Sequence, residues 1–185
     1  MIEDFIGDAT QRMDKSVDAT HEHFNSVRTG RASAALLDRI TIDYYGTPTP
    51  LKNMATISTP ESRMLTIQPF DPSSIKQIEK TIQESDLGLT PSNDGKLIRL
   101  PIPQLTEDRR RELVKLVRQM AEEGRVAVRN VRRDAIKHLE DLVRNGDVGD
   151  DEERAAESRV QKLTDEHTAK IDELLKRKEA EIMEV

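Results

Sequence analysis

The chain has no cysteine, and aromatic residues make up only 3% of it. Without a thiol there is no disulfide, no thiolate nucleophile and no cysteine-ligated zinc. With 35% hydrophobic and 35% charged residues, the composition suits long, solvent-laced helices better than a thick globular core. No run approaches the ~20 apolar residues of a membrane span. The opening Met1-Ile2-Glu3-Asp4-Phe5 lacks the basic and apolar regions of a signal peptide, and it is too acidic for an organelle transit peptide. A soluble cytoplasmic protein with no membrane contact is the expectation. At 185 residues there is room for one or two domains.

The motifs of catalysis are also missing. There is no glycine-rich phosphate loop, no G-x-G-x-x-G and no H-E-x-x-H. His21 and His23 are two apart, which turns them ~200° from one another on a helix and denies them a shared metal. His138 and His167 sit near apolar stripes and read as packed or solvent-edge residues. The acidic run Asp147 to Glu153 lacks the spacing of a calcium loop, and helix N-terminal charge accounts for it without an ion. Catalysis by this chain, and any cofactor of its own, is not expected.

What is present is helical periodicity at both ends. Ile2, Phe5, Ile6, Ala9, Met13, Val17, Phe24 and Val27 draw one stripe, predicting a helix that ends near Thr29-Gly30. Ala156, Val160, Leu163, Ile171, Leu174 and Ile182 draw another, with His167 filling a step and Asp150 with Glu153 as a capping box. Between Thr106 and Asn145 lies the longest pattern, ~60 Å at ~1.5 Å per residue. The short loop Asn145-Gly146-Asp147-Val148-Gly149 makes the last two helices antiparallel neighbours. A three-helix bundle buries all three stripes.

Residues 31–105 follow another grammar and hold all eight prolines. Residues 39–45, 54–58 and 63–68 read as strands, Asp71 as the N-cap of a helix buried through Ile75, Ile78 and Ile82, and Asn93-Asp94-Gly95 as a turn into a strand at 96–100. Pro101 and Pro103 end that strand, and Thr106 caps the long helix. The expected architecture is α+β. Residues 1–30 and 106–185 form the bundle, and residues 31–105 form an inserted β/α/β domain on two short linkers that act as a hinge.

Charge is uneven along this plan. The net charge is −6, yet residues 106–145 carry eleven Lys/Arg against eight Asp/Glu and are the only net-positive segment. On a helical wheel Arg111, Arg118, Arg125, Arg129 and Arg132 share a sector of roughly 60°, with Lys115 and Arg133 just beyond one edge. The wheel places Leu113, Leu116, Met120, Gly124, Ala127, Val131 and Leu142 on the opposite side as the seam. Gly124, costing ~1 kcal/mol against alanine, points to close helix approach there. Arginine outnumbers lysine nine to two in this segment, and planar donor forks suit phosphates. Two readings stand: contact with RNA or another phosphate polymer, and a solvated face laced with pairs such as Glu122 with Arg118 or Arg125. An adaptor joining two proteins is the competing class.

Several separated stretches resemble one family. Val126-Ala127-Val128-Arg129-Asn130-Val131-Arg132-Arg133-Asp134-Ala135 and Val27-Arg28-Thr29-Gly30-Arg31-Ala32-Ser33 are similar to the signatures of bacterial ribosome recycling factors. So are Asp43 to Leu51, Asp94 to Arg99 and Pro101 to Thr106. The resemblance implies an L-shaped monomer that acts after peptide release. With elongation factor G, which binds the GTP, it would split the ribosome into subunits. It also implies that the bundle contacts rRNA of the large ribosomal subunit and that the small domain meets elongation factor G. On that basis the rRNA-contact candidates are Arg28, Arg31, Arg110, Arg129, Arg132 and Arg133, to which the helical wheel adds Arg118 and Arg125. The hinge candidates are Thr29, Gly30, Gln104 and Leu105.

Overall fold

The computed structural model describes residues 1–184. In chain order, helix α1 (Ile2–Ser26) leads to strands β1 (Thr41–Tyr44), β2 (Thr47–Pro50), β3 (Ala55–Glu61) and β4 (Met64–Pro69). Helix α2 (Ile75–Glu84), strands β5 (Ser92–Asn93) and β6 (Ile98–Pro101), and helices α3 (Glu107–Arg144) and α4 (Asp150–Met183) follow. The fold is mixed, and the chain separates into two compact units, residues 1–28 with the chain from Thr106 onward, and residues 29–105.

In the helical unit the cross-contacts give the directions. Phe5 stacks on His138, and Arg12 pairs with Asp134, so α1 runs antiparallel to α3. Arg118 meets Glu179 and Arg132 meets Gln161, so α3 and α4 are antiparallel. Glu3 meets Arg159 and Asp14 meets His167, which sets α1 and α4 parallel. Thr106 caps α3 by accepting from the Arg109 N–H at 3.1 Å. At its other end Gly146, at φ +79°, lets the Asp147 and Gly146 amides close on the Leu142 and Val143 carbonyls. Val148 is buried beneath that turn.

Two helix boundaries differ from the sequence reading. Helix α1 ends at Ser26 rather than near Thr29-Gly30. The Ser26 hydroxyl donates to the His23 carbonyl at 2.6 Å, and Val27 turns extended to bury its side chain. Helix α4 is capped one residue early, at Gly149, whose N–H is covered by Glu152 rather than by an Asp150–Glu153 box. Asp150 already lies inside the helix, where it complements the dipole.

The second unit is a four-stranded antiparallel sheet in the order β3-β4-β6-β5, joined by the hairpin β1–β2. Ile42, Leu51, Leu65, Ile67, Ile78, Ile82, Ile98 and Leu100 are fully buried in its core. Asp71 starts the helical turn ahead of α2 by accepting from the Ser73 N–H at 3.0 Å. Asp94 accepts from the Lys96 and Leu97 amides and so shapes the turn between β5 and β6. Two short strands, β2 and β5, were not legible in the sequence. In β2, Pro48 and Pro50 contribute no ladder donor, so the segment is tolerated only as a hairpin edge.

Candidate nucleic-acid interface

The α3 seam is where the wheel reading needs its largest correction. Leu113, Val117, Ala121, Gly124, Val128, Val131, Ala135 and Leu139 are buried, whereas Leu116 is 40% exposed and Met120, Ala127 and Leu142 are only half-buried. The true seam is turned by roughly 60° toward the arginines. The reason is clearance. A side chain built at Gly124 would run into the Thr20 hydroxyl of α1 and sit 3.2 Å from Ile171 Cδ1 of α4. Three helices meet over small residues at this point, and the larger Leu116 is left outside.

The rotation changes the rail's surroundings. It lies beside the α3–α4 junction, not on the far side from it. Arg118 Nε donates to Glu179 Oε1 at 2.6 Å, and this bond holds the guanidinium pKa above its ordinary value. Arg125 retains only 18% of its side-chain exposure, with Nε 3.3 Å from Asp172 and Nη1 3.6 Å from Glu122. Arg129 donates to Glu122 at 3.1 Å. Arg132 donates to the Gln161 amide oxygen at 3.2 Å, and Gln161 in turn donates to Asp165. Arg111 is taken by Glu107 at 2.6 Å.

Arg133 has only a long contact of 3.5 Å to Asn130 and is exposed. Lys137, one turn further on, is also exposed and was missed as a rail member. Its wheel position beside Arg133 was the available signal, but at about 40° beyond Arg133 it falls outside the arginine sector. Arg28 is exposed just beyond α1. Arg110 is half-buried, donates to the Met183 carbonyl at 3.3 Å and leaves its Nε without a partner. Arg31 is exposed in the second unit.

Among the hinge candidates, Gly30 has φ +75°, and a side chain there would lie 3.2 Å from Leu105 Cγ. The Gln104 amide oxygen accepts from the Arg63 guanidinium. Thr29, Gly30, Gln104 and Leu105 all fall in the second unit. Gly30, Gln104 and Leu105 are therefore part of that unit's packing. Among the described residues no group of three His, Asp or Glu side chains is placed to hold a metal ion, and no helix is long and apolar enough to cross a membrane.

The family model of ribosome recycling factor matches residues 20–183. This chain belongs to the ribosome recycling factor family. Within that family it is 57% identical over 180 residues to the ribosome-recycling factor of Rubrobacter xylanophilus, covering 97% of both chains. It is 56% identical over 185 residues to that of Geobacillus kaustophilus, covering both chains completely. A solution structure of the ribosome recycling factor superposes with a TM-score of 0.73 at 43% identity, over 100% of this chain and 98% of that one. Models of the T. thermophilus ribosome recycling factor and E. coli elongation factor G bound to the E. coli post-termination complex give a TM-score of 0.63 at 43% identity, over 100% of each chain.

Proposed function

We propose that this chain is a cytoplasmic, monomeric ribosome recycling factor, which splits post-termination ribosomes into subunits together with elongation factor G and GTP. The helical unit (residues 1–28 and 106–185) binds large-subunit rRNA, and the inserted unit (residues 29–105) meets elongation factor G, which carries the GTP. The observation that carries the RNA contact is the basic face of α3. Arg133 and Lys137 are exposed and Arg129 and Arg132 half-buried beside them, on two consecutive turns of an otherwise acidic chain. Arg118 and Arg125 sit deeper among α4 acceptors and add field more than direct contact. Arg28, Arg31 and Arg110 extend the contact on the strength of the family match.

The hinge is placed at the two chain crossings, between residues 28 and 29 and between residues 105 and 106. Thr29, Gly30, Gln104 and Leu105 form its anchored side. Movement of elongation factor G would swing the inserted unit and press the rigid bundle against intersubunit RNA.

Two measurements test this. If ~4 phosphates are neutralised, large-subunit affinity falls with salt at a log–log slope of about −3 to −4. Arg132→Glu weakens subunit binding by about tenfold or more and abolishes splitting with elongation factor G. Unchanged binding by that variant, or binding insensitive to salt, favours a protein–protein adaptor instead.

A further inference from the structure

The basic face of α3 carries its own competing anion. Glu122 is the one residue in the site whose carboxylate serves two arginines of the rail. Oε1 accepts from Arg129 Nη1 at 3.1 Å, and Oε2 lies 3.6 Å from Arg125 Nη1. Its side chain is 57% exposed while that of Arg125 is 18% exposed, so the carboxylate is open to solvent and the guanidinium beneath is largely withdrawn from it. Asp172 holds the same guanidinium from α4 at 3.3 Å. In this arrangement Arg125 Nη1 has no hydrogen-bond partner and is cut off from water.

Helix stabilisation accounts for the Glu122–Arg125 pair, three residues apart, but not for the Glu122–Arg129 pair. Intrahelical pairs that support a helix are three or four residues apart. Arg129 is seven residues from Glu122 and folds back two turns to reach it. A carboxylate and a phosphate compete for the same donor forks. The Glu122–Arg129 pair is open to solvent on both sides, and exposed pairs of this kind are weak.

Resting on the reading that α3 binds RNA phosphate, we infer that Glu122 is an internal stand-in for a phosphate, which occupies Arg129 and Arg125 in the free protein and is displaced when RNA arrives. It therefore weakens RNA binding and speeds release. A polyanion that takes the more open Arg129 must displace a carboxylate also held by the charge of the buried Arg125, so isolated phosphates and short stray polyanions gain little. A factor that acts on one ribosome after another also has to leave, and a resident anion that recaptures the arginines favours departure.

The test uses the full-length chain with Glu122→Gln and Glu140→Gln. Glu140 is exposed and eighteen residues further along, five full turns of helix, so it shares the wheel position of Glu122. It controls for simple loss of one negative charge. Both variants are sedimented with large ribosomal subunits across a salt series, and their thermal midpoints confirm folding.

Glu122→Gln is expected to bind about two- to fivefold tighter, with a salt slope steeper by about one. It should also slow repeated rounds of splitting while sparing the first round. Glu140→Gln should match the wild type, and the gain from Glu122→Gln should shrink in an Arg129→Ala background. Unchanged or weaker binding by Glu122→Gln, or equal tightening by Glu140→Gln, overturns the inference. Arg132→Glu, measured alongside, separates the two levels. If it fails to weaken binding, the RNA reading falls. If it weakens binding while Glu122→Gln does nothing, only the role of Glu122 falls.

Discussion

Gly124 shows how a single residue sets a helix rotation. With Thr20 of α1 and Ile171 of α4 closing over it, a methyl group has no space. Gly124→Ala is expected to destabilise the helical unit by about 1–3 kcal/mol through overpacking, despite alanine's better helix propensity. The readout is a lower thermal midpoint, partly restored by adding Thr20→Ala, because the nearest clashing atom is the Thr20 hydroxyl. The arginines divide by the same logic of neighbours. Arg125→Ala removes a side chain packed between Glu122 and Asp172, so it should lower the thermal midpoint as well as subunit affinity. Arg133→Ala touches little in the fold and should lower affinity alone. The residue types were legible in the sequence. Their partners were not, since a wheel drawn for α3 holds no information about which α4 residue comes alongside.

At the scale of elements, the hairpin β1–β2 turns through Tyr45 at φ +49° and Gly46 at φ +83°. Tyr44 pairs with Thr47, leaving a two-residue loop whose dihedrals suit asparagine at its first position. Tyr45 is 87% exposed, and its ring contact is an edge-on one with its neighbour Tyr44, so little burial offsets the strain. Tyr45→Asn should stabilise the second unit by about 0.5–1 kcal/mol, seen as a higher urea midpoint. Two other turns are acid-sensitive. Bonds from the Ser73 hydroxyl and amide hold the Asp71 carboxyl below the usual range, and the Lys96 and Leu97 amides do so for Asp94. A depressed folded pKa means the stabilisation is fully present above the unfolded value. It is lost as pH falls through the folded one. Stability of this unit should therefore drop on acidification below about pH 4, and Asp94→Asn should flatten that dependence. The turns themselves were readable from Asp71-Pro72 and Asn93-Asp94-Gly95. Strand β5, only two residues long, exists because β6 offers it an edge, and no local pattern announces that.

For the whole molecule, the second unit has a closed hydrophobic core of its own, and its two ends meet where Gly30 packs against Leu105. A fragment of residues 29–105 should fold alone, giving a dispersed amide spectrum and a cooperative thermal transition. A collapsed, non-cooperative fragment would show that this core depends on the helices.

Periodicity, prolines and caps were enough to specify three long helices, a β-rich insert and the segment that carries the basic face, because these depend on chain-local geometry. Tertiary packing alone decided the rotation of α3. Burial in a three-helix contact selects by clearance as well as by hydrophobicity, so Ala121 and Gly124 lie inside while Leu116 stays out. That rotation brought the arginines beside α4, where acceptors take up Arg118, Arg125 and Arg132. It left Arg133 and Lys137 most open to a phosphate, with Arg129 held by Glu122.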